Sequence, residues 1–510
     1  MTSNWNFAVV LAGLVWCASA DFGVSSIVLD SGLVGFNANQ LRDSFNDVLS
    51  TSKRIPANLH SDVLRYGAGN VSALVLNMTE IGSKLANNLN KAAGERSVPI
   101  ADVFGSLGTS VRDLEAFLLD SWPNILKYVN ETLKNVTASE IDDALKEINK
   151  SLVDISQALN DLQLALNKAL MAENAGTTTP VPGIIDISNS FAQRLSKTLE
   201  MFRDRVKVLN KAVDVTVKSI EVSNSFLDTI NSNRRSVSDA FKTAESSLHS
   251  TVKNELSSIT DKYLAAHKSF QQDYAEAVER LKIFTSNSTL NVLVDLTKEE
   301  YTKNYYQLYN RNSPDFAAFS DALNEISSNV SSVMNQTGQR FFDDLDSASS
   351  TVVDTIIARG SFATQCSNTF SSRITGPIFG FHFEATNCVT RERGRIPRIT
   401  ETVDRLLQLV QSSSKDFTAD LGSCSRFGGF SINEMEYDQA KGCLESNLRE
   451  TGKYNQIIAA QLDVIKTILT VEADASIFRA SQCLEQTASE ESALLEGVRT
   501  GIPSCMANGI

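Results

Sequence analysis

The sequence predicts an all-α protein in which elongated helical bundle or coiled-coil segments are followed by a disulfide-bridged helical module. Apolar residues recur at alternating spacings of three and four over long stretches, which is the period of a helix with one buried face. The chain has only 9 prolines and 25 glycines in 510 residues, too few for a sheet protein that turns every ten residues or so. Six of the seven cysteines lie between Cys366 and Cys505.

The charge balance argues against one class of partner. The chain carries 47 Lys and Arg against 60 Asp and Glu, a formal net charge of −13. Nucleic-acid-binding proteins instead show an excess or a stripe of basic residues, so we expect no nucleic-acid partner. Hydrophobic residues make up 42% of the chain, which is enough for a packed core and above the level typical of disorder.

Residues 1–20 predict a secretory signal peptide. An apolar stretch at residues 7–16 precedes the small residues 18–20, the pattern of a cleavage site. Cys17 would leave with this segment. No later stretch reaches the roughly 18 apolar residues that cross a bilayer. We therefore expect a secreted, extracellular protein with no transmembrane anchor.

Residues 21–171 predict an N-terminal helical segment. Pro56, residues 67–69 (Gly-Ala-Gly) and Pro99 interrupt its first part, which predicts several shorter helices. Thr137 and Glu140 fit a capping box at the start of a longer helix. Nine apolar residues then alternate steps of four and three, which predicts one seam of a helical bundle. The nine are Ile141, Leu145, Ile148, Leu152, Ile155, Leu159, Leu162, Leu166 and Ala169.

Residues 172–184 are rich in Thr, Pro and Gly and lack apolar periodicity, which predicts a linker. Residues 185–360 predict a coiled-coil-like segment of long helices. Its first seam is Leu199, Phe202, Val206, Leu209, Val213, Thr216 and Ile220. Its second seam is Val237, Phe241, Ala244, Leu248, Val252, Leu256, Ile259, Tyr263, Ala266, Phe270, Tyr274, Ala277, Leu281 and Phe284. Extra steps of four in the second seam indicate local unwinding of a supercoil.

Residues 361–510 predict a cysteine-bridged helical module. Six cysteines remain after removal of the signal peptide, and an exported chain meets an oxidising environment, so we expect three disulfides. Metal binding is the competing interpretation. It is disfavoured because no Cys-x-x-Cys pair occurs and His382 is the only histidine near the cysteines.

The cysteines are spaced almost symmetrically about a Gly- and Ser-rich turn at residues 422–430. In an antiparallel helical hairpin, residues equidistant from the turn lie opposite each other. The predicted bridges therefore nest, with Cys424–Cys443 nearest the turn, Cys388–Cys483 beyond it and Cys366–Cys505 outermost. Pairing of neighbours in sequence is the alternative, and the other connectivities that six cysteines allow stay open.

The module opens with Gln365-Cys366-Ser367 and closes with Pro503-Ser504-Cys505. With cysteines at these intervals, residues 366–510 resemble the TsetseEP domain of insect secreted proteins. The resemblance covers under a third of the chain. That family includes gut-associated secreted proteins, some of them linked to defence, so the resemblance implies a secreted protein that is gut-associated or defence-related. It transfers no enzymatic activity or binding residues. Any property that rests on the Glu-Pro repeats of the family's namesake is not implied, because this chain lacks them.

No catalytic, cofactor-binding or metal-ligating residue is predicted, and we expect no enzyme. The chain has no zinc-protease, nucleophile-elbow, P-loop or dinucleotide-binding motif. Its four histidines are interpreted as residues at the solvent edge of helices: His60, His249, His267 and His382. His249 and His267 would lie ~27 Å apart along one helix, too far to share a metal ion. A hydrolase with a scattered site would need Ser or Asp beside one of these histidines.

Four clusters of like side chains have a structural and a functional interpretation, and the structural one is favoured for each. They are the acids Asp343, Asp344 and Asp346; the arginines Arg391, Arg393, Arg395 and Arg398; the tyrosines Tyr301, Tyr305, Tyr306 and Tyr309; and the phenylalanines Phe379, Phe381 and Phe383. The favoured interpretations are a solvated helix face, a local charge balance, a buried stripe and a short extended segment packed in the core. The functional alternatives for the first three are calcium binding, contact with an anionic surface, and glycan or protein contact.

Eight Asn-x-Ser/Thr sequons are candidate N-glycosylation sites. They are Asn70, Asn77, Asn130, Asn135, Asn149, Asn287, Asn329 and Asn335.

These observations predict a secreted, non-enzymatic helical protein with a binding or structural role and no cofactor. Its expected partner is an extracellular protein or glycan surface, and self-association is compatible with the sequence. The alternative is an extracellular carrier of lipid or another apolar ligand, whose amphipathic helices open around it. Such a carrier would gain helix and change its Trp122 emission when lipid vesicles are added.

Overall fold

The chain folds almost entirely into helices. The computed structural model describes residues 22–24, 31–174, 182–308, 314–359, 362–428 and 433–508. Within these ranges no residue lies in a β-strand, so the all-α prediction is confirmed. The predicted signal peptide, including Cys17, and residues 175–181 of the predicted linker lie outside the described residues.

The described chain forms nine α-helices. They are α1 (Gly32–Ser52), α2 (Asp62–Gly94), α3 (Ile100–Ala116), α4 (Trp122–Asn174), α5 (Pro182–Arg280), α6 (Ser288–Leu308), α7 (Pro314–Arg359), α8 (Ala363–Ser423) and α9 (Glu434–Asn508). A π-helical turn, Phe117–Ser121, joins α3 to α4, and 3-10 turns follow α5 and α8 at Leu281–Phe284 and Cys424–Phe427. The two seams predicted between residues 185 and 360 belong to one 99-residue helix, α5, and its 3-10 extension.

Two of the three predicted breaks in the N-terminal segment separate helices. Pro56 lies between α1 and α2, and Pro99 lies between α2 and α3. Residues 67–69 do not interrupt the helix, since α2 continues through them. A methyl group at Gly67 would overlap the Leu133 side chain of α4, so this glycine serves the close approach of two helices.

The predicted capping box at Thr137 falls just after a kink in α4. Lys134 has φ 66° and ψ 166°, a backbone conformation that costs a non-glycine residue energy, and it divides α4 into two helical stretches. The Thr137 hydroxyl donates a hydrogen bond to the Ile357 carbonyl at 3.0 Å. Thr137 therefore fixes a tertiary contact with α7.

The described chain divides into two compact units. The first comprises residues 1–232, 347–374 and 497–510, and the second comprises residues 233–346 and 375–496. Both units contain chain from either side of residue 360, where the sequence predicts the start of a cysteine-bridged domain. Helix α4 continues to Asn174 and α5 begins at Pro182, so the predicted linker at residues 172–184 is helical at both ends. The limits between the two units fall inside helices α5, α7, α8 and α9.

The core of the first unit is built on α1, α2, α4 and the first part of α5. All nine residues of the seam Ile141 to Ala169 are buried. Phe45 of α1 lies against Phe202 of α5, with ring centroids 6.3 Å apart. A methyl group at Gly82 of α2 would overlap the Phe45 ring, so the absence of a side chain there lets α2 pack on this aromatic pair.

In the second unit, α8 packs along α5 in the same direction, and α7 runs antiparallel to α5. Phe381 of α8 lies 4.2 Å from Phe341 of α7 and 5.6 Å from Phe241 of α5, measured between ring centroids. Further along, Lys262 of α5 pairs with Asp404 of α8 at 3.0 Å. The α5 seam from Val237 to Phe284 is buried apart from half-buried Leu256.

The prediction of an extended segment at Phe379, Phe381 and Phe383 is wrong, because all three lie in α8. Residues two apart point to nearly opposite sides of a helix. Phe381 is therefore fully buried, whereas Phe379 is 58% and Phe383 is 65% exposed.

Candidate functional site

Helices α8 and α9 form an antiparallel hairpin held by disulfides in the second unit. Cys388 is bonded to Cys483 and Cys424 to Cys443, with Cα atoms 5.8 and 5.6 Å apart. These are the two inner pairs of the nested arrangement. Cys366 is also disulfide-bonded, and its predicted partner, Cys505, lies outside the residues whose side chains the structure describes.

A groove of about 750 Å³ lies at the closed end of this hairpin, beside the Cys424–Cys443 bond. We call it the tip groove; its lining includes Asp420, Phe427, Glu450, Lys453, Tyr454 and Ile457. The Tyr454 hydroxyl donates to the Asp420 carboxylate at 3.0 Å, and the Lys453 ammonium pairs with Glu450 at 2.8 Å. Burial raises the pKa of Tyr454, and its hydrogen bond to Asp420 adds to the effect.

A line of exposed apolar side chains follows the outer face of α9. Ile457, Val464, Val471 and Phe478 are spaced by seven residues and are 47%, 48%, 58% and 64% exposed. We call these four residues the outer row. Ile457 belongs to both the row and the tip groove, so the two features are continuous.

The outer row lies on a different face of α9 from the one that packs into its unit. Ile458, Leu462, Ile465 and Leu469 occupy that inner face and are at most 1% exposed. Apolar residues therefore occupy two faces of α9, of which one is covered by the described chain.

The surface beside the outer row is acidic. Asp463 and Asp474 are exposed, and neither forms a salt bridge within the described chain. Of the nearby cations, Lys453 pairs with Glu450 and Arg479 pairs with Glu392 and Glu472, while Lys466 lies three residues from Asp463 in sequence.

One arginine of the α8 cluster pairs with a buried carboxylate. Glu392 is 3% exposed and accepts a hydrogen bond from Arg395 at 2.7 Å. Arg479 and Ser476 of α9 also donate to this carboxylate, at 3.2 and 2.7 Å. Arg393 instead donates to Ser247 of α5.

The four histidines lie in four separate environments. His60 Nε2 lies 3.4 Å from an Asp228 carboxylate oxygen, and its backbone N–H donates to Asn224. Burial lowers the pKa of His267, and His382 is half-buried. His249 lines a polar trough of about 920 Å³ together with serines of α7, yet it forms no hydrogen bond with a described residue. A catalytic base needs its nucleophile within hydrogen-bond reach, and His249 holds no serine in that position.

The acidic cluster of α7 lies on an exposed helix face. Asp346 pairs with Arg234 at 2.8 Å, and Asp343 accepts a hydrogen bond from Gln339. Within the described chain, no group of three or more His, Cys, Asp or Glu side chains is arranged to hold a metal ion.

The tyrosine cluster is described only at Tyr301. Its ring is buried and stacks on Tyr274 of α5, and Phe270 lies 5.5 Å from it between ring centroids. Burial raises the pKa of Tyr274. The side chains of Tyr305, Tyr306 and Tyr309 lie outside the described residues.

Seven of the eight sequon asparagines have described side chains, and Asn135 does not. Asn77, Asn130, Asn329 and Asn335 are exposed, whereas Asn70, Asn149 and Asn287 are half-buried. Asn287 differs in its backbone setting, because it precedes α6 and its side-chain oxygen accepts from the N–H groups of Thr289 and Leu290. Glycosylation stays a prediction at each position.

Glu491 of α9 is expected to make the stability of the second unit depend on pH. Burial raises its pKa, and the nearby Glu490 and Glu384 add to the effect. A carboxyl group whose pKa is raised by folding stabilises the fold below its unfolded pKa, and this contribution is lost as the pH rises through the folded value. We expect Glu491→Gln to raise the melting temperature at about pH 7 and to leave it nearly unchanged at about pH 3.5. Thermal melts followed by far-UV circular dichroism at both pH values measure this.

The matched control for that measurement is Glu276→Gln, which changes an exposed glutamate of α5 in the same unit. It should have little effect at either pH. A lower melting temperature of Glu491→Gln at neutral pH would contradict the assignment.

The outer row and Glu392 are the residues that the sequence analysis missed. The signal for the row is present, because apolar residues recur every seven positions from Ile457 to Phe478 beside the core seam of α9. Sequence periodicity does not tell which of two seams is covered. The sequence gives no sign that Glu392 is buried, because it is a single acidic residue within a basic cluster.

No protein-family model matches the chain, and no curated protein is significantly similar to it in sequence. None of the described helices contains the apolar stretch that a bilayer crossing requires.

Proposed function

We propose that this chain is a secreted, non-enzymatic helical protein that binds an extracellular partner through the outer row of α9. The observation that carries the proposal is the row itself: four large apolar side chains in line, each about half exposed or more. Exposed apolar residues that occur singly are ordinary, whereas contiguous ones mark interaction surfaces.

Other features support the extracellular setting. The first 20 residues have the pattern of a signal peptide, and disulfides such as Cys388–Cys483 persist in oxidising compartments. The resemblance of residues 366–510 to the TsetseEP domain supports an insect secreted protein that is gut-associated or defence-related.

The test combines secretion with partner capture. The full chain is expressed in cultured eukaryotic cells, recovered from the medium and cross-linked to extracellular fluid or an epithelial surface. We expect the mature chain to begin after residue 20 and to capture a partner that the triple variant Val464→Ser, Val471→Ser, Phe478→Ser does not capture.

The matched control is Leu76→Ser, which removes a 54% exposed leucine from the first unit. This variant should capture the same partner as the unchanged chain. Retention of the chain inside the cells, or an identical set of captured molecules with the triple variant, would refute the proposal.

A lipid or apolar-ligand carrier is the second candidate, because the same row offers an apolar face to a lipid surface. Opening of the helices would disturb Trp122, which is 3% exposed and donates to Asp142 at 2.8 Å. A carrier therefore predicts a shifted Trp122 emission and gained helix with phosphatidylcholine vesicles, and a protein-binding surface predicts neither.

A further inference from the structure

We infer that the outer row receives an amphipathic helix with basic flanks from the partner, and that the tip groove receives one of its basic side chains. This inference rests on the proposed function and names the chemistry of the partner. It follows from the spacing of the row, the charge beside it and the continuity of row and groove.

The spacing of the row fits a helix. A helix that packs along another in a left-handed coil presents apolar residues every seven positions. The three intervals from Ile457 to Phe478 correspond to ~31 Å of helix at 1.5 Å per residue. Ala460 and Thr467 lie between the row residues and are exposed. Their small side chains leave room for a second helix to approach closely.

The charge beside the row selects a basic partner. Asp463 and Asp474 are exposed, and neither pairs with a cation of the described chain. Lysines or arginines that flank the apolar face of an incoming helix would lie near these carboxylates, as charged flanks do in coiled coils. A second copy of this chain would instead bring the same acidic residues against them, so the charges disfavour a homodimer through this face.

The tip groove extends this complementarity. At the Ile457 end of the row it holds two carboxylates, Asp420 and Glu450, against one ammonium group, Lys453. The Tyr454 side chain belongs to the same lining. A lysine or arginine of the partner would lay its aliphatic stem along Ile457 and place its charged head between the carboxylates.

The test uses the full secreted chain and two labelled synthetic helices of three heptads. Both peptides carry Ile and Leu on their apolar face; one has Lys at all flanking positions and the other has Glu. We expect the Lys peptide to bind at least about ten-fold more tightly in fluorescence anisotropy, and this preference to shrink as salt is raised from about 50 to 300 mM.

Three sets of variants locate the binding. The triple variant Val464→Ser, Val471→Ser, Phe478→Ser should weaken Lys-peptide binding about ten-fold or more, as loss of central apolar contacts does, and Leu76→Ser should not. The pair Asp463→Asn, Asp474→Asn should weaken binding several-fold at low salt only. The double variant Asp420→Asn, Glu450→Gln should also bind the Lys peptide more weakly than the unchanged chain does. All of these positions except half-buried Glu450 are exposed in the free chain, and circular dichroism verifies that each variant folds.

Several results would overturn the inference. The first is equal affinity of the chain for the Lys and Glu peptides, and the second is equal affinity of the triple variant and the unchanged chain for the Lys peptide. The third is a chain that binds phosphatidylcholine vesicles but not the Lys peptide. The fourth is a dimer of the unchanged chain that is monomeric in the triple variant. If partner capture depends on the row but the Lys peptide does not bind, the inference fails while the proposed function stands. If the row variants change neither capture nor peptide binding, both fail.

Discussion

Replacing Cys388 and Cys483 with alanine is expected to lower the free energy of unfolding by about 4 kcal/mol. The bond closes a loop of 95 residues, and a cross-link stabilises a fold chiefly by restricting the unfolded chain, more strongly for longer loops. Both cysteines lie in the second unit, where they hold α8 against α9. Alanine is the suitable replacement because Cys388 is 2% exposed and a serine hydroxyl would need a buried partner there. Urea denaturation followed by far-UV circular dichroism measures the loss.

The second disulfide is the internal comparison. Cys424–Cys443 closes only 19 residues, so its replacement by alanine should cost about 3 kcal/mol, less than the longer loop. Non-reducing peptide mapping of the unchanged chain first establishes the pairs. A loss below about 1 kcal/mol for the longer loop would contradict the chain-entropy account, and mapped bonds between neighbouring cysteines would contradict the pairing itself.

Helical seams are the part of this fold that the sequence predicts best. A side chain that recurs every three or four residues can be buried only if the backbone is helical, and the seam from Ile141 to Ala169 is buried throughout. The near-symmetry of the cysteines about residues 422–430 has a similar physical basis. Equal arms of a hairpin bring Cys388 to Cys483 whatever the other side chains are.

Contacts between residues that are distant in sequence are the part of the fold that periodicity does not predict. Gly67 reads as a helix breaker, but its role comes from Leu133, which is distant in sequence and lies where a methyl group would be. The sequence predicts Phe379 and Phe383 as core residues, but more than half of each side chain is exposed. The division into units cannot be predicted from the local sequence pattern, because one of its limits falls inside the uninterrupted helix α5, between Ser232 and Asn233.

The candidate site was missed for the same reason. The inner seam of α9 has two apolar residues in each heptad and the outer row has one, and the packed structure shows that the row faces outward. The sequence predicts a local charge balance in the basic cluster, and the structure adds that one of its arginines, Arg395, pairs with the buried Glu392. Ser476 and Arg479 also donate hydrogen bonds to Glu392. They lie more than 80 residues away in sequence, so the sequence pattern does not predict these contacts.

Replacing Glu392 with alanine is expected to destabilise the chain by about 3 kcal/mol, the lower end of the range for breaking a buried ion pair. The Glu392 side chain is 4% exposed, whereas those of Arg395 and Arg479 are 45% and 35% exposed. The arginines therefore regain hydration once the carboxylate is gone, which keeps the loss at the lower end. The Ser476 hydroxyl is fully buried and loses its acceptor. Urea denaturation measures the loss.

The matched control for Glu392 is Glu401→Ala on the same helix. Glu401 also pairs with an arginine, Arg405 at 2.7 Å, but both side chains are more than 60% exposed. An exposed pair of this kind contributes about 0–1 kcal/mol. Glu392→Gln should fall between the two variants, because its side-chain oxygen still accepts the Ser476 hydrogen bond while the negative charge is lost. Equal losses for Glu392→Ala and Glu401→Ala would mean that burial of the carboxylate does not govern its contribution to stability.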